Sequence, residues 1–151
     1  MYLRALQPGL NNKQHNNSLL VRSLQIINVT GVAYTGQGRG KIFVKTPWVM
    51  QQIQKITGFK PYPGTLNLHL TPEGIKQREY LTPKNGLLIK PKKGYLPGYL
   101  YKAKIFDTTC YVVIPDVPHY PKNSLEIIAA ENLRNQLNIK DGNLITITIT
   151  P

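Results

Sequence analysis

Residues 59–70 read FKPYPGTLNLHL, a turn with proline and glycine followed by alternation of leucine with polar residues. Successive side chains of a strand point to opposite faces, so the leucines share one face and Thr65 and Asn67 share the other. Thr65 and Asn67 are then about 7 Å apart along the strand, near enough to share one ion. Their neutral oxygens suit magnesium when phosphates and waters complete its shell. The segment predicts a strand with a candidate cation site; an ordinary turn before an edge strand is the alternative.

The composition is that of a single globular domain. The chain has 151 residues, 41% of them hydrophobic, which at this length buries roughly 68–70% of the unfolded surface. Cys110, the only cysteine, excludes an intrachain disulfide and a cysteine-rich zinc site and fits a reducing cytoplasm. No apolar run approaches the ~20 residues of a membrane span, and the N-terminus lacks a signal-peptide pattern. We therefore expect an unprocessed cytoplasmic protein without membrane contact.

The charge is strongly basic, with 19 Lys+Arg against 7 Asp+Glu and a net charge of +12. Such a charge raises the local concentration of phosphate-bearing ligands. The excess is sharpest between Glu79 and Asp107, a segment that contains no acidic residue. A solvated basic face is one interpretation, and a phosphate-binding or nucleic-acid-binding surface is the other. The lysines of this segment are Lys84, Lys90, Lys92, Lys93, Lys102 and Lys104.

Short strands dominate the pattern after a polar, aperiodic N-terminal stretch. Residues 1–23 are predicted to form a flexible arm, and residues 24–151 one domain. Strands this short, separated by Pro and Gly, favour a closed or nearly closed barrel over a parallel sheet covered by helices. The expected strands are residues 24–34, 41–45, 65–70, 86–90, 99–106, 109–114 and 144–150, with a further one at 123–128.

Two short helices interrupt this mostly β pattern. Thr46 can cap a first helix that has Pro47 at its first position and ends at Gly58. A second helix is predicted at Ala130–Leu137. The turn at Asp141 and Gly142 then leads into the alternating last strand.

Three alternating glycines, Gly36, Gly38 and Gly40, follow the first strand. Because a strand is predicted next, at 41–45, a dinucleotide fingerprint is not expected. The ending Gly40-Lys41-Ile42 also lacks the Ser or Thr of a P-loop. A glycine-rich loop between strands can still present backbone N–H groups to phosphates. A flexible hairpin is the alternative.

Glu126 lies among apolar residues in the segment LEIIAAENLR, residues 125–134. An isolated carboxylate is costly to bury unless it is paired or used. As an acceptor or base it could take a substrate hydroxyl's proton during phosphoryl transfer. A strand glutamate facing solvent is the alternative.

Taken together, these motifs resemble those of the archaeal CTP-dependent riboflavin kinases. The resemblance covers about residues 25–150 and implies a small six-stranded cradle-loop (Greek-key) β-barrel. It also implies magnesium as cofactor, with CTP and riboflavin as substrates and FMN and CDP as products. We expect a monomer. The matching motifs are Gly36-x-Gly38-x-Gly40-x-x-Phe43, Gly58-Phe59-x-Pro61-Tyr62-x-Gly64-Thr65-Leu66-Asn67 and Glu126-Ile127-Ile128-Ala129 with Leu133-Arg134 and Asp141-Gly142.

The resemblance also implies site residues. Thr65 and Asn67 match the family's magnesium ligands, and Glu126 matches the carboxylate at the ribityl end of the flavin, where a catalytic role is expected. The chain differs from the family pattern at Arg39, where an acid is usual, and around Tyr95, where an arginine is usual. It also differs at Pro118, where a threonine is usual. The positions that match nucleotide-contacting segments are Gln37, Gly38, Arg39, Gly40, Lys41, Ile42, Glu131, Asn132, Leu133 and Arg134.

A second hypothesis is a non-catalytic basic barrel that binds nucleic acid or a nucleotide. It would use the lysines between Lys84 and Lys104, with Tyr95, Tyr99 and Tyr101 as exposed stacking groups. A plain scaffold protein is a third, weaker hypothesis. The intact Gly64-Thr65-Leu66-Asn67 segment and Glu126 favour the enzyme.

Overall fold

The computed structural model describes residues 25–36 and 39–151; the predicted arm at 1–23, Gln37 and Gly38 lie outside the described residues. Seven strands are found in this part of the chain: β1 (Ile27–Tyr34), β2 (Leu66–Leu70), β3 (Leu87–Ile89), β4 (Gly98–Ile105), β5 (Thr108–Pro115), β6 (Ser124–Ile128) and β7 (Leu144–Ile149). The helices found there are α1 (Arg39–Lys45), α2 (Pro47–Thr57), α3 (Pro72–Arg78) and α4 (Leu133–Gln136).

Six strands close an antiparallel barrel, which confirms the predicted fold class. Their order is β4-β5-β6-β2-β1-β7, and β7 pairs back onto β4. One edge of β4 is shared: β3 pairs with its first residues, 98–100, whereas β7 pairs at Ala103 and Lys104. The barrel therefore closes at one end of β4 and leaves β3 as an outer strand at the other end.

The barrel interior is filled by the inward-facing residues of its strands. In β2 the leucines point inward as the alternation predicts, and all three are buried. Cys110 also lies in this core and is fully buried, so its interpretation as a small core hydrophobe is confirmed. Burial raises the pKa of its thiol to about 12, which keeps the sulfur protonated and inert.

A second apolar cluster lies outside the barrel, between its wall and helices α1 and α2. Val49 and Ile53 of α2 are fully buried against Ile128 and Val113 of the wall. The helix begins at Pro47 and ends at Gly58, whose φ of 80° is left-handed, as the sequence predicts. Thr46 precedes α2 but does not cap it; its hydroxyl donates to the Ile42 carbonyl instead, at 3.0 Å.

The expectation of a strand at 41–45 is wrong, because these residues form helix α1. Ile42, Phe43 and Val44 favour a strand by propensity, but tertiary packing overrides that preference. Val44 is fully buried in the outer cluster, and Phe43 packs partly buried against the same cluster. The Phe43 ring lies so close to Gly98 that a Cβ at Gly98 would come within 2.9 Å of it. A helix here covers the barrel wall, which an extended segment would leave exposed.

Two further helices differ from the prediction. Helix α3 was not predicted, although Thr71 accepts a hydrogen bond from the Gly74 N–H at 3.0 Å and Pro72 occupies the first turn. Helix α4 is shorter than the predicted 130–137. It begins after Asn132, whose side chain accepts from the Asn135 N–H at 3.3 Å.

A side chain of α2 forms hydrogen bonds with the main chain at the end of β3, the outer strand of the sheet. The Gln52 amide donates to the Lys90 carbonyl and accepts from the Lys90 N–H, both at 2.8 Å. This pair of bonds fixes α2 against the end of β3. None of the described helices combines the length and apolarity needed to cross a bilayer.

Candidate active site

Two buried polar side chains face each other on the outer wall of the barrel. Asn67 of β2 pairs directly with Glu126 of β6 in the antiparallel register. Directly opposed residues have Cβ atoms about 4.5–5.5 Å apart. Only 9% of Asn67 and 8% of Glu126 is exposed, so a solvent-facing strand glutamate is excluded. The barrel thus brings together the predicted metal ligand and the predicted catalytic carboxylate.

Thr65 joins this pair from the turn before β2. Its hydroxyl oxygen lies 3.4 Å from the Asn67 Oδ1, a distance at which a hydrogen bond is weak. Magnesium binds oxygens at about 2.0–2.1 Å in an octahedron, which places neighbouring ligands about 3 Å apart, so the two side chains fit such an ion with a small adjustment. No group of three or more His, Cys, Asp or Glu residues able to hold a metal occurs in the described part of the chain. A cation here would therefore rely on neutral oxygens and on the ligands that a substrate brings.

Gly36 allows the end of β1 to approach Asn67 closely. A Cβ at Gly36 would lie 2.7 Å from the Asn67 Nδ2, closer than real contacts allow. The first glycine of the glycine-rich segment is therefore required by the packing around Asn67. The segment itself runs from a strand into helix α1, so the prediction that it joins two strands is wrong.

A central cavity of about 430 Å³ lies over the Asn67–Glu126 pair. It contains both of these side chains and is continuous with two neighbouring grooves through shared residues. The Tyr34 and His69 rings stack at its border, with centroids 3.5 Å apart and planes at 9°. The lining residues are Tyr34, Thr35, Gly36, Asn67, His69, Tyr120, Pro121, Ser124 and Glu126.

An apolar groove of about 290 Å³ adjoins the cavity on the side of helix α1. Tyr120 and Glu126 line both spaces. Pro118, which stands where the resembling family usually has threonine, lies in this groove and gives it a further apolar surface. The lining residues are Ile42, Phe43, Thr46, Pro115, Val117, Pro118, His119, Tyr120 and Glu126.

A polar groove of about 380 Å³ shares Tyr34, Thr35, Gly36 and Asn67 with the cavity. Thr65 and Asn67 lie along it, and two cationic residues, Lys41 and Arg134, line it as well. This arrangement favours an anionic ligand. The lining residues are Tyr34, Thr35, Gly36, Lys41, Tyr62, Pro63, Gly64, Thr65, Asn67 and Arg134.

The predicted nucleotide segment at Glu131–Arg134 lines a small side pocket of about 90 Å³ that opens beside Thr65. Arg134 is held in place from two directions. It donates to the Tyr34 carbonyl and forms an ion pair with the Asp141 carboxylate, each at 2.8 Å. The pKa of Asp141 lies below its usual value, mainly because the Thr35 hydroxyl donates to it and also because of Arg134. Leu133 is buried in the barrel core.

The structure places two of the predicted nucleotide-binding residues of the glycine segment on two different grooves. Lys41 lies on the polar groove, as the nucleotide prediction requires, whereas Ile42 lies on the apolar groove and is 71% exposed. Gln37 and Gly38 lie outside the described residues, and for Arg39 and Gly40 the structure defines the backbone, in the first turn of α1.

Sequence reasoning missed several residues of the site, Tyr120 above all. Its hydroxyl donates to the Glu126 Oε2 at 2.8 Å. The signal that could have found it is a phenol six residues before a carboxylate, with prolines on both sides at Pro118 and Pro121. Tyr34 and His69 gave no such signal, because their stacking depends on strand register.

The stacking groups proposed for nucleic acid are only partly exposed. Tyr95 is 59% exposed, but Tyr101 is 2% exposed. Tyr101 points into the barrel and donates to the Thr82 carbonyl at 2.8 Å, so its predicted exposure is wrong. Burial raises the pKa of Tyr101 to about 12. Lys102 and Lys104 are exposed on β4, which agrees with a solvated basic face.

The fold and the cleft define a small closed barrel whose outer wall carries a polar pair between an apolar and a cationic groove. The family model named for the CTP-dependent riboflavin kinase and described as a domain of unknown function, DUF120, matches residues 33–149. The chain belongs to this family.

Curated riboflavin kinases of archaea are similar to the chain. The protein of Pyrobaculum aerophilum is 35% identical over 127 residues, which cover 82% of this chain and 60% of that protein. The protein of Saccharolobus solfataricus is 34% identical over 135 residues, covering 85% and 77%. That of Methanospirillum hungatei is 31% identical over 136 residues, covering 87% and 62%. The chain thus spans about three fifths of the length of two of these relatives.

Proposed function

We propose that the protein transfers the γ-phosphoryl group of CTP to the 5′-hydroxyl of riboflavin, giving FMN and CDP. The observation that carries the proposal is the Asn67–Glu126 pair, which lies between the apolar groove and the polar groove. A phosphoryl transfer needs a donor and an acceptor that meet at a cation and a hydrogen-bond acceptor. The name of the matching family model supports CTP as the donor.

The two grooves differ in polarity, and the two substrates differ in the same property. The apolar groove, with Phe43 and Pro118, suits the flat ring system of riboflavin, since small-molecule sites are largely apolar with a few placed polar groups. The polar groove and its side pocket, with Lys41 and Arg134, suit the triphosphate and the nucleoside of the donor. The ribityl chain of riboflavin would then reach Glu126, which lines both the apolar groove and the central cavity.

Glu126 acts on the acceptor. It accepts the hydrogen bond of the riboflavin 5′-hydroxyl and takes its proton as that oxygen forms its bond to the γ-phosphorus and the bond to the β-phosphate oxygen breaks. Thr65 and Asn67 would hold Mg²⁺. When bound, the ion neutralises negative charge on the phosphates. Positioning and charge neutralisation supply most of the catalysis in reactions of this class.

The direct test is to incubate the purified chain with riboflavin, magnesium and each nucleoside triphosphate in turn, and to measure FMN by chromatography with flavin fluorescence. We expect FMN with CTP and much less with ATP. No FMN with any triphosphate, from protein that is folded by circular dichroism, would refute the proposal. FMN with ATP alone would leave a riboflavin kinase but refute CTP as the donor.

A further inference from the structure

Tyr120 forms a direct contact with the carboxylate at the centre of the cleft. Its hydroxyl donates to the Glu126 Oε2 at 2.8 Å, the usual length of an O–H···O hydrogen bond. The two residues are the ones common to the central cavity and the apolar groove. Tyr120 therefore contacts Glu126 at the junction of the two spaces.

The Tyr120 phenol stays a hydrogen-bond donor at neutral pH. Burial raises the pKa of Tyr120 far above its usual value of 10, and the Glu126 charge and hydrogen bond raise it further, while the nearby Arg78 charge opposes the shift. The phenol therefore keeps the proton that it donates to the Glu126 oxygen.

The backbone next to Tyr120 is restricted. His119 has a φ of 62°, a left-handed conformation that non-glycine residues adopt infrequently. Pro118 and Pro121 flank His119 and Tyr120, and each proline ring restricts its own φ. Tyr120 thus follows a turn at residues 118–119 and lines both the central cavity and the apolar groove.

The Tyr120 hydrogen bond acts on the part of Glu126 that is most variable, the end of its side chain. A glutamate side chain has three rotatable bonds, and the last of these is broad rather than staggered. Ordering a side chain of this kind costs rotamer freedom. A hydrogen bond from a rigid phenol selects one orientation of the carboxylate before substrate binds.

We infer that Tyr120 is a positioning residue whose phenol holds the Glu126 carboxylate in one orientation at the junction of the central cavity and the apolar groove. The inference rests on the proposed function, since it assigns Tyr120 a role in that reaction. Tyr120 acts through Glu126 and not on the transferred group. Its loss should consequently affect turnover only while Glu126 is present.

The test is a double-mutant cycle with Tyr120→Phe and Glu126→Gln. Tyr120→Phe alone should lower kcat about tenfold, because a misplacement of about 1 Å can cost as much as 10²-fold. The affinity for CTP should stay within about twofold. In the Glu126→Gln background, Tyr120→Phe should change kcat by less than about twofold, since coupled residues are not additive. An unchanged kcat for Tyr120→Phe, or an equal loss in both backgrounds, would overturn the inference.

Tyr101→Phe is the matched control, because the Tyr101 phenol also donates a hydrogen bond of 2.8 Å, but to the Thr82 carbonyl. Tyr101→Phe should leave kcat unchanged. The fall in its melting temperature measures how much the loss of one phenol hydrogen bond destabilises the fold. Tyr120→His, which keeps a ring and an N–H donor, should retain more activity than Tyr120→Phe. Equal activity of the two Tyr120 variants would count against positioning.

The failure of the inference can be distinguished from the failure of the proposed function. If the unaltered chain forms no FMN, the proposed function fails and the inference with it. If the unaltered chain forms FMN and the cycle is additive, only the inference fails.

Discussion

Two strand pairs carry polar residues on the outer face of the barrel, and the two pairs use them differently. Between β1 and β7, Thr30 and Thr146 share a hydrogen bond of 2.8 Å, and Thr148 donates to Asn28 at 2.9 Å. Between β2 and β6, Asn67 faces Glu126. The first set lies at the surface, whereas both members of the second pair are at least nine-tenths buried.

The difference comes from what covers each pair and not from the strands themselves. Both sets obey the same alternation of inward apolar and outward polar residues. Over Asn67 and Glu126, however, the end of β1 at Gly36 and the segment containing Tyr120 close in from both sides. An outward polar pair thus stays at the surface where water reaches it, and becomes part of a cavity lining where neighbouring segments cover it.

The largest difference between the two strand pairs is expected at Glu126. Glu126→Gln preserves the size and most of the packing of the side chain but cannot take a proton, so we expect turnover to fall by about 10²-fold or more with CTP affinity nearly intact. Calorimetry of CTP binding and the FMN assay measure the two quantities. Thr146→Val, on the exposed set, is the control and should leave FMN formation unchanged. Normal CTP affinity with the parental rate in Glu126→Gln would show that Glu126 is a structural residue.

Asn67 offers a test with a smaller expected effect. Asn67→Leu keeps the strand but removes one oxygen of the predicted magnesium site, so turnover should fall at least about tenfold, equivalent to ~1.4 kcal/mol of barrier. The rate should be measured as a function of magnesium concentration. Asn28→Leu is the matched control, since Asn28 is also an outward-facing asparagine opposite a β-strand partner. An unchanged rate of Asn67→Leu at limiting magnesium would mean that the cation is held elsewhere.

The smallest effect is expected on the exposed set, at Thr30. Thr30→Val removes the hydroxyl bond to Thr146, so the free energy of unfolding should fall by no more than about 1 kcal/mol. Urea unfolding measures this change, and the FMN assay should show no change in turnover. A loss of activity without a loss of stability would contradict the division between the two strand pairs.

The sequence predicted the barrel and the two central side chains because both depend on local patterns. The leucine alternation of β2 places Asn67 outward, and an acid among apolar residues singles out Glu126. The burial of these side chains could not be predicted, since it depends on segments far away in the sequence. Helix α1 was missed for a related reason: Ile42, Phe43 and Val44 have strand propensity, and only contact with the barrel wall makes them helical.

The resemblance to the kinase family located residues that no local pattern could combine. Arg134 comes close to the end of β1 because it donates to the Tyr34 carbonyl, a contact across 100 positions of the chain. Tyr120 was overlooked because its role depends on a single hydrogen bond. Motifs report residue types and spacing, whereas a hydrogen bond between side chains requires the fold.

The contact of Gln52 with Lys90 covers one peptide unit at the end of β3, the outer strand of the sheet. An uncovered strand edge offers its peptide groups to any extended chain and is a recurrent start of aggregation. The Gln52 side-chain amide copies one peptide unit of a neighbouring strand, with its N–H and carbonyl both engaged by Lys90. The Gln52 side chain therefore occupies the position at the end of β3 where a foreign strand would otherwise add to the sheet.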